Sequence, residues 1–208
     1  MPLPDGDIVQ IDGLRVTSLE RTVYDATREF SLEAAVVAFD AALRKVAWNG
    51  QDNTYDVARA EEFRASVVRR IHEHPGARGI RQARVTASFA DGRADGPGKS
   101  LSRLWMWLLG VAEPELQYRV ELGGGRYALL DFAWPELRRW AEFDGDVKYT
   151  DPQMLAERSV DEVLADQRMR EIKVRRATGW DVDRWGFDRM PDIEEFARWL
   201  RSIGLYGG

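Results

Sequence analysis

The sequence predicts an α/β protein, in which a mostly helical N-terminal module is followed by a mixed β-sheet flanked by helices. Apolar residues recur at helical spacing through most of the first ninety residues. A stretch with three Gly and one Pro interrupts this pattern at residues 91–98. Beyond it, the patterns follow the order helix, hairpin, strand, helix, strand, which is typical of a small α/β domain. We therefore expect a helical domain at 1–90, a linker at 91–98 and an α/β domain at 99–208.

Turn and cap residues define the elements of the N-terminal module. Asp12-Gly13 suits the positive φ angles of a type I′ turn, which predicts a hairpin between strands 8–11 and 14–17. Thr17 and Glu20 form a capping-box pattern, and Ser31 and Thr54 stand where further helices begin. These signals predict helices at 18–29, 31–46, 54–72 and 78–90.

The same criteria place the elements of the second half. A run of three glycines at 123–125 marks a tight turn between two of the predicted strands. We expect helices at 99–110, 158–178 and 191–203, and strands at 115–122, 126–134, 139–144 and 180–185.

Composition restricts the chemistry that the chain can perform. It has no Cys and only two His, His72 and His74. The absence of Cys excludes disulfide scaffolds, thiolate metal sites and cysteine nucleophiles, and two His leave little for a histidine-ligated metal or a Ser-His-Asp triad. A metal bound by this chain would therefore be a hard ion with oxygen ligands.

The sequence shows no signal for a membrane. No apolar run approaches the roughly 18 residues of a membrane span, and the first residues lack the basic and apolar regions of a signal peptide. These features predict a cytoplasmic protein without a membrane partner.

Three acids fall on one face of the predicted hairpin at 126–144. If the hairpin is symmetric about residues 136 and 137, Asp131 lies directly opposite Glu142, and strand alternation puts Asp144 on the same face. Two carboxylates at cross-strand distance repel each other unless a cation or a proton lies between them. The arrangement suits Mg²⁺, and Lys148 would offer a positive charge to a phosphate.

The same spacing also fits an ordinary solvated strand face. On that interpretation the acids pair with Arg138 or Arg139, and Asp144-Gly145 is a simple turn. The spacing alone leaves both interpretations open.

Asp131-Phe132, Glu142-Phe143-Asp144-Gly145 and Lys148-Tyr149 together resemble the active-site hairpin of the restriction-endonuclease-like, PD-(D/E)xK nuclease superfamily. They look like the branch related to very-short-patch-repair endonucleases, and the similarity covers roughly residues 96–190. The resemblance implies a restriction-endonuclease-like sheet and a metal-dependent endonuclease that hydrolyses phosphodiester bonds in DNA, in repair or host defence. It implies that Asp131 and Glu142 bind Mg²⁺ or Mn²⁺, with Asp144 and Lys148 in supporting catalytic roles.

The N-terminal module carries a second resemblance. Leu14-x-Val16-Thr17-Ser18-x-x-Arg21-Thr22-x-x-Asp25 is similar to the helical part of AbiEi-type antitoxins. The similarity begins after the winged helix of those proteins, which we do not expect in this sequence. It implies a toxin or another defence component as a partner.

Two positions depart from the nuclease pattern. Lys99 stands where the family usually has Glu, and Gln167 stands where its late helix usually has Glu. A base in place of an acid is unfavourable beside a divalent cation. The alternative function is therefore a catalytically impaired DNA-binding regulator, or an antitoxin-like protein of a toxin–antitoxin system.

The net charge of −5 conceals local excesses of positive charge. Residues 59–98 carry eight bases and five acids, and the late helix carries a second basic cluster. These clusters would bind nucleic-acid phosphates without sequence specificity, or they are solvated helix faces of an Arg-rich protein. The candidate nucleic-acid-binding residues are Arg69, Arg70, Arg78, Arg81, Arg84, Arg168 and Arg170.

Overall fold

A computed structural model describes residues 3–145 and 160–206 of the chain. It contains both helices and sheets, which confirms the α/β class. The chain divides into two compact units, an N-terminal unit, Met1–Leu101, and a C-terminal unit, Ser102–Gly208. In the part of the chain that is described, no helix is long and apolar enough to cross a membrane.

The N-terminal unit consists of a hairpin and a group of packed helices. Asp12 and Gly13 both have positive φ, at 49° and 83°, as expected for the turn of the hairpin. The helices bury a common core that includes Phe39, Leu43 and Val67. The elements are β1 (Ile8–Ile11), β2 (Leu14–Thr17), α1 (Leu19–Glu29), α2 (Leu32–Ala47), the short strands β3 (Trp48–Asn49) and β4 (Thr54–Tyr55), α3 (Val57–Glu73), α4 (Ile80–Phe89) and α5 (Pro97–Leu108), which continues past this unit.

Two of the predicted helix caps were wrong. The N-cap of α1 is Ser18, whose hydroxyl accepts from the backbone N–H of Arg21 at 3.2 Å, so the predicted cap Thr17 was wrong by one residue. The N-cap of α3 is Asp56 rather than Thr54, because Thr54 pairs with Asn49 in the β3–β4 ladder. Ser31 caps α2 as predicted.

Residues 91–96, the first part of the expected linker, pack onto the N-terminal unit. The buried carboxylate of Asp40 accepts from the backbone N–H of Asp91 at 2.7 Å, and Ala94 is buried. Gly92 lies so close to α2 that a Cβ there would be 2.5 Å from the backbone nitrogen of Arg44. The boundary between the units therefore falls after Leu101, inside α5.

The C-terminal unit contains a four-stranded mixed sheet in the order β5-β6-β7-β8. The first three strands are antiparallel, and β8 runs parallel to β7. Phe132 pairs with Ala141 and Trp134 pairs with Arg139, which confirms the register predicted for the β6–β7 hairpin. The elements are β5 (Glu115–Gly123), β6 (Arg126–Trp134), β7 (Arg139–Phe143), α6 (Val160–Thr178), β8 (Asp181–Trp185) and α7 (Ile193–Ser202).

Different side chains cover the two faces of this sheet. On one face, Phe132 stacks on Trp185 with ring centroids 5.3 Å apart, and Trp185 contacts Phe196 of α7. On the other face, the fully buried Trp140 packs in a cluster with Val174 of α6. The acidic end of the hairpin therefore lies on a sheet that has apolar packing on both sides.

Candidate active site

The acids predicted to form the site lie at one end of the β6–β7 hairpin. Asp131 is in β6, Glu142 is in β7, and Asp144 follows the last residue of β7. The paired residues of the β6–β7 ladder end at Phe132 and Ala141. Beyond them, Oδ2 of Asp131 accepts a hydrogen bond from the backbone N–H of Phe143 at 3.1 Å. Lys148, the remaining predicted catalytic residue, lies outside the described residues.

Glu142 is buried between two arginines. The residue is only 5% exposed, so it does not lie on a solvated strand face. Its Oε1 forms a close ion pair with Nη1 of Arg170, and its Oε2 lies 2.9 Å from Nη1 of Arg184. Arg139, one of the partners considered from the sequence, pairs instead with Asp183 at 2.6 Å. Both oxygens of the Glu142 carboxylate are therefore occupied by guanidinium groups.

Arg184 connects three acids of the site. It is the direct cross-strand neighbour of Glu142 in the parallel β7–β8 ladder. Its Nη1 is also 3.0 Å from Oδ2 of Asp144, and its Nε is 3.6 Å from Oε2 of Glu171. Its Nη2 is buried and has no hydrogen-bond acceptor among the described residues. A buried N–H group of this kind fits an incoming oxygen, such as that of a phosphate or a water.

Arg170 reaches the site from α6. Its Nη2 donates to the backbone carbonyl of Leu129, so the guanidinium contacts both β6 and Glu142 of β7. Burial lowers the pKa of Arg170, and the nearby charge of Asp131 partly offsets that effect. Arg170 lies one helical turn before the buried Val174, on the side of α6 that faces the sheet.

Gly186 fixes the backbone beside Asp144. The backbone N–H of Asp144 donates to the carbonyl of Trp185 at 2.8 Å. A Cβ at Gly186 would lie 2.6 Å from the carbonyl oxygen of Asp144, a distance that no side chain tolerates without displacement of the backbone. The close approach of the chain after β8 thus sets the position of the third acid.

The carboxylates of the site are suitable ligands for a hard cation, but Glu142 and Asp144 form ion pairs with arginines in the structure. Among the described residues, the carboxylates of Asp131, Glu142, Asp144 and Glu171 lie around the guanidinium groups of Arg170 and Arg184. One or two carboxylates with water are a usual Mg²⁺ site. Within residues 3–145 and 160–206, however, no three acidic or histidine side chains are grouped so that they could hold a metal ion. A cation at Glu142 would therefore have to compete with at least one guanidinium.

Arg184 and Glu171 were missed as site residues at the sequence level. A buried acid on an inner strand needs a partner, and Arg184 was available on the strand predicted at 180–185. That pairing depends on the parallel β7–β8 register, which the local sequence does not encode.

The predicted nucleic-acid-binding arginines have unequal surroundings. Arg70 is engaged with Asp7, and Arg170 is engaged with Glu142. The other five are exposed: Arg69, Arg78, Arg81, Arg84 and Arg168. Lys99 forms a 2.7 Å salt bridge with Asp95 inside the N-terminal unit.

Comparison with known proteins gives relatives but no function. No family model matches the chain, and no solved structure matches it. Two curated proteins, the uncharacterized proteins MT2308 and Rv2248 from two strains of Mycobacterium tuberculosis, are 34% identical to it over 135 residues. The match covers 65% of this chain and 45% of each relative. The chain is thus similar to a part, about half, of mycobacterial proteins that carry no assigned activity.

Proposed function

We propose that the C-terminal unit is a metal-dependent endonuclease that hydrolyses phosphodiester bonds in DNA. The observation that carries this proposal is the buried Glu142, which with Asp144 contacts Arg184 at the end of the hairpin that also holds Asp131. The buried Nη2 of Arg184 has no acceptor within the described chain. The mixed sheet, with its antiparallel hairpin followed by a parallel strand, supports a restriction-endonuclease-like fold for this unit.

The residues divide into cation ligands and phosphate-binding groups. Asp131 and Glu142 would hold Mg²⁺ or Mn²⁺, which when bound activates a water and neutralises charge on the phosphate. The Nη2 group of Arg184, which has no acceptor in the described ranges, would donate to a phosphate oxygen, and the contact with Asp144 would hold that guanidinium in place. From the resemblance, Lys148 would stabilise the negative charge that develops on the phosphate.

The ion pairs of Glu142 make phosphate binding and cation binding interdependent. Arg170 or Arg184 must leave Glu142 before that carboxylate can act as a ligand. The positive charge that Glu142 then no longer neutralises would be available to a DNA phosphate, and Arg184 would keep its contact with Asp144. We therefore expect DNA to increase the affinity of the site for the cation.

Plasmid cleavage tests the proposal. Supercoiled DNA is incubated with the full chain and Mg²⁺ or Mn²⁺, and nicked and linear products are measured. Asp131→Asn should lose cleavage, because a neutral amide is a poor ligand for the cation. The amide oxygen can still accept the N–H of Phe143, so the local fold should be kept. Asp188→Asn is the matched control, since Asp188 is exposed. No cleavage by the wild-type chain with either cation, or equal cleavage by Asp131→Asn, contradicts the proposal.

The occupied Glu142 favours a second candidate, a DNA-binding protein without catalytic activity. Both of its oxygens are already paired, and Lys99 replaces an acid of the family pattern. This candidate predicts salt-dependent DNA binding that survives Asp131→Asn, with no cleavage by the wild-type chain. Cleavage gained by Lys99→Glu would show that the substitution at this position had inactivated the site.

A further inference from the structure

We propose, building on the proposed DNA substrate, that the outer face of α4 binds the sugar–phosphate backbone of duplex DNA. The surface consists of Arg81 and Arg84 on α4 and of Arg78, two residues before it; we call it the α4 basic face. It belongs to the N-terminal unit, whereas the acids of the candidate active site belong to the C-terminal unit.

The α4 basic face is exposed along one side of the helix. Arg81, Arg84, Val85 and Ser88 are all exposed, and their spacing of three and four residues places them on one side. The opposite side is buried in the core of the unit, with Ala83 fully buried. The arginines therefore project from a helix whose inner face is fixed by packing.

The α4 basic face differs in its charge from an ordinary solvent-exposed helix face, which carries both acids and bases. Residues 74–90 contain three arginines and no acid. None of the three arginines has a salt bridge in the part of the chain that the structure describes. Most other arginines of this unit do pair with acids: Arg21, Arg28, Arg44, Arg64, Arg70 and Arg93. A solvated face usually mixes both signs, so a run of unpaired bases in a chain of net charge −5 is suited to an anionic partner.

Contacts at both ends hold α4 in place before any partner binds. The side chain of Gln82 donates to the carbonyls of Thr27 and Phe30 at 3.0 and 2.9 Å. At the other end, Arg64 donates to the carbonyl of Ala90 at 2.8 Å. Binding to a fixed helix avoids the cost of ordering the backbone.

The side chains of this face suit a phosphate backbone better than base edges. Guanidinium groups match phosphate oxygens in charge and geometry. Exposed arginines at regular spacing carry no sequence information, so we expect binding to duplex DNA of any sequence.

Salt-dependent binding tests this proposal. Binding of the full chain to a labelled DNA duplex is measured in EDTA, so that no cleavage occurs, over a series of salt concentrations. Arg81→Gln/Arg84→Gln removes two phosphate contacts, so the slope of log K against log salt should become less negative by about two. The charge-matched control is Arg15→Gln/Arg59→Gln, at two exposed arginines outside this face, and it should keep the wild-type slope. Thermal unfolding confirms that both variants are folded.

Each outcome supports or overturns the proposal. The proposal is overturned if the α4 variant keeps the wild-type slope, because DNA would then bind to another surface. It is also overturned if the control variant changes the slope equally, because binding would then depend only on total charge. Tighter binding to an RNA duplex of the same length overturns the choice of DNA. If the wild-type chain does not cleave plasmid DNA, the nuclease proposal is contradicted, but the slope measurement is unaffected. The two proposals can therefore fail separately.

Discussion

At the scale of single residues, Glu142 has two roles that compete. It neutralises two arginines in the structure, and it is a proposed cation ligand. Removal of a buried ion-pair partner typically costs roughly 3–5 kcal/mol, because the opposite charge is left without compensation. The side chains of Arg170 and Arg184 are 38% and 25% exposed, so water recovers part of that cost.

We therefore expect Glu142→Gln to lower the free energy of unfolding by about 2 kcal/mol in EDTA. Urea unfolding at neutral pH measures this change. Glu136→Gln, at an exposed turn residue, should stay within about 0.5 kcal/mol of the wild-type chain. A Glu142→Gln variant as stable as the wild type would show that the arginines do not depend on this carboxylate.

Gly186 links stability to the position of Asp144. Gly186→Ala would place a methyl group 2.6 Å from the Asp144 carbonyl, and such overpacking costs about 1–3 kcal/mol. The displaced Asp144 should also weaken its contact with Arg184 and slow any plasmid cleavage. Gly76→Ala is the control, since nothing lies within 4 Å of a Cβ there. Unfolding and cleavage are measured together; a variant unchanged in both would refute the role assigned to Gly186.

At the scale of elements, local signals predicted most of the helices and strands but not the short strands β3 and β4. Contacts between distant segments account for the other features that they missed. The β6–β7 register followed from strand alternation and the short turn at Pro135–Leu137. The packing of Gly92 against α2 could not be predicted, because it depends on a backbone approach between distant segments. The Glu142–Arg184 pair was missed for the same reason, since a parallel neighbour is far away in sequence.

The ion-pair network of Asp7 joins the start of the chain to α1 and α3. Asp7 is buried, and its carboxylate lies 2.6 Å from Arg70 and 3.0 Å from Arg21. The hydrogen bond from Arg70 is the main cause that holds the pKa of Asp7 below its usual value, against the opposing effect of burial. A carboxyl with a lowered folded pKa stabilises the fold above its unfolded pKa of about 3.9 and loses that contribution as pH falls through the folded value.

We expect Asp7→Asn to destabilise the N-terminal unit by about 3 kcal/mol at pH 7, because two arginines lose their buried charged partner and keep only Asp25 and Glu20. Urea unfolding between pH 7 and pH 2 should show that the difference from the wild-type chain shrinks as the pH falls below 4. Asp5→Asn, at an exposed neighbour, should follow the wild-type curve. A difference that is constant over this pH range would exclude a linked titration of Asp7.

At the scale of the whole molecule, the chain carries excess negative charge, yet residues 74–90 contain three arginines and no acid. The acids that contribute to the net charge of −5 include the cluster around Glu142 in the C-terminal unit. The α4 basic face lies in the other unit. If both proposals hold, attachment to DNA and hydrolysis depend on different units and can be lost separately.

We therefore expect two variants to divide the activity of the chain. Asp131→Asn should abolish plasmid cleavage but keep the wild-type salt slope in EDTA, since it removes no phosphate contact of α4. Arg81→Gln/Arg84→Gln should make the slope of log K against log salt less negative by about two. It should still cleave at the wild-type rate once DNA is saturating, because the lost contacts stabilise the bound DNA and the transition state equally. Binding and cleavage are measured on each variant and on their combination, which should show both losses. A reduced cleavage rate of the arginine variant at saturating DNA would mean that α4 also positions the substrate for the chemical step.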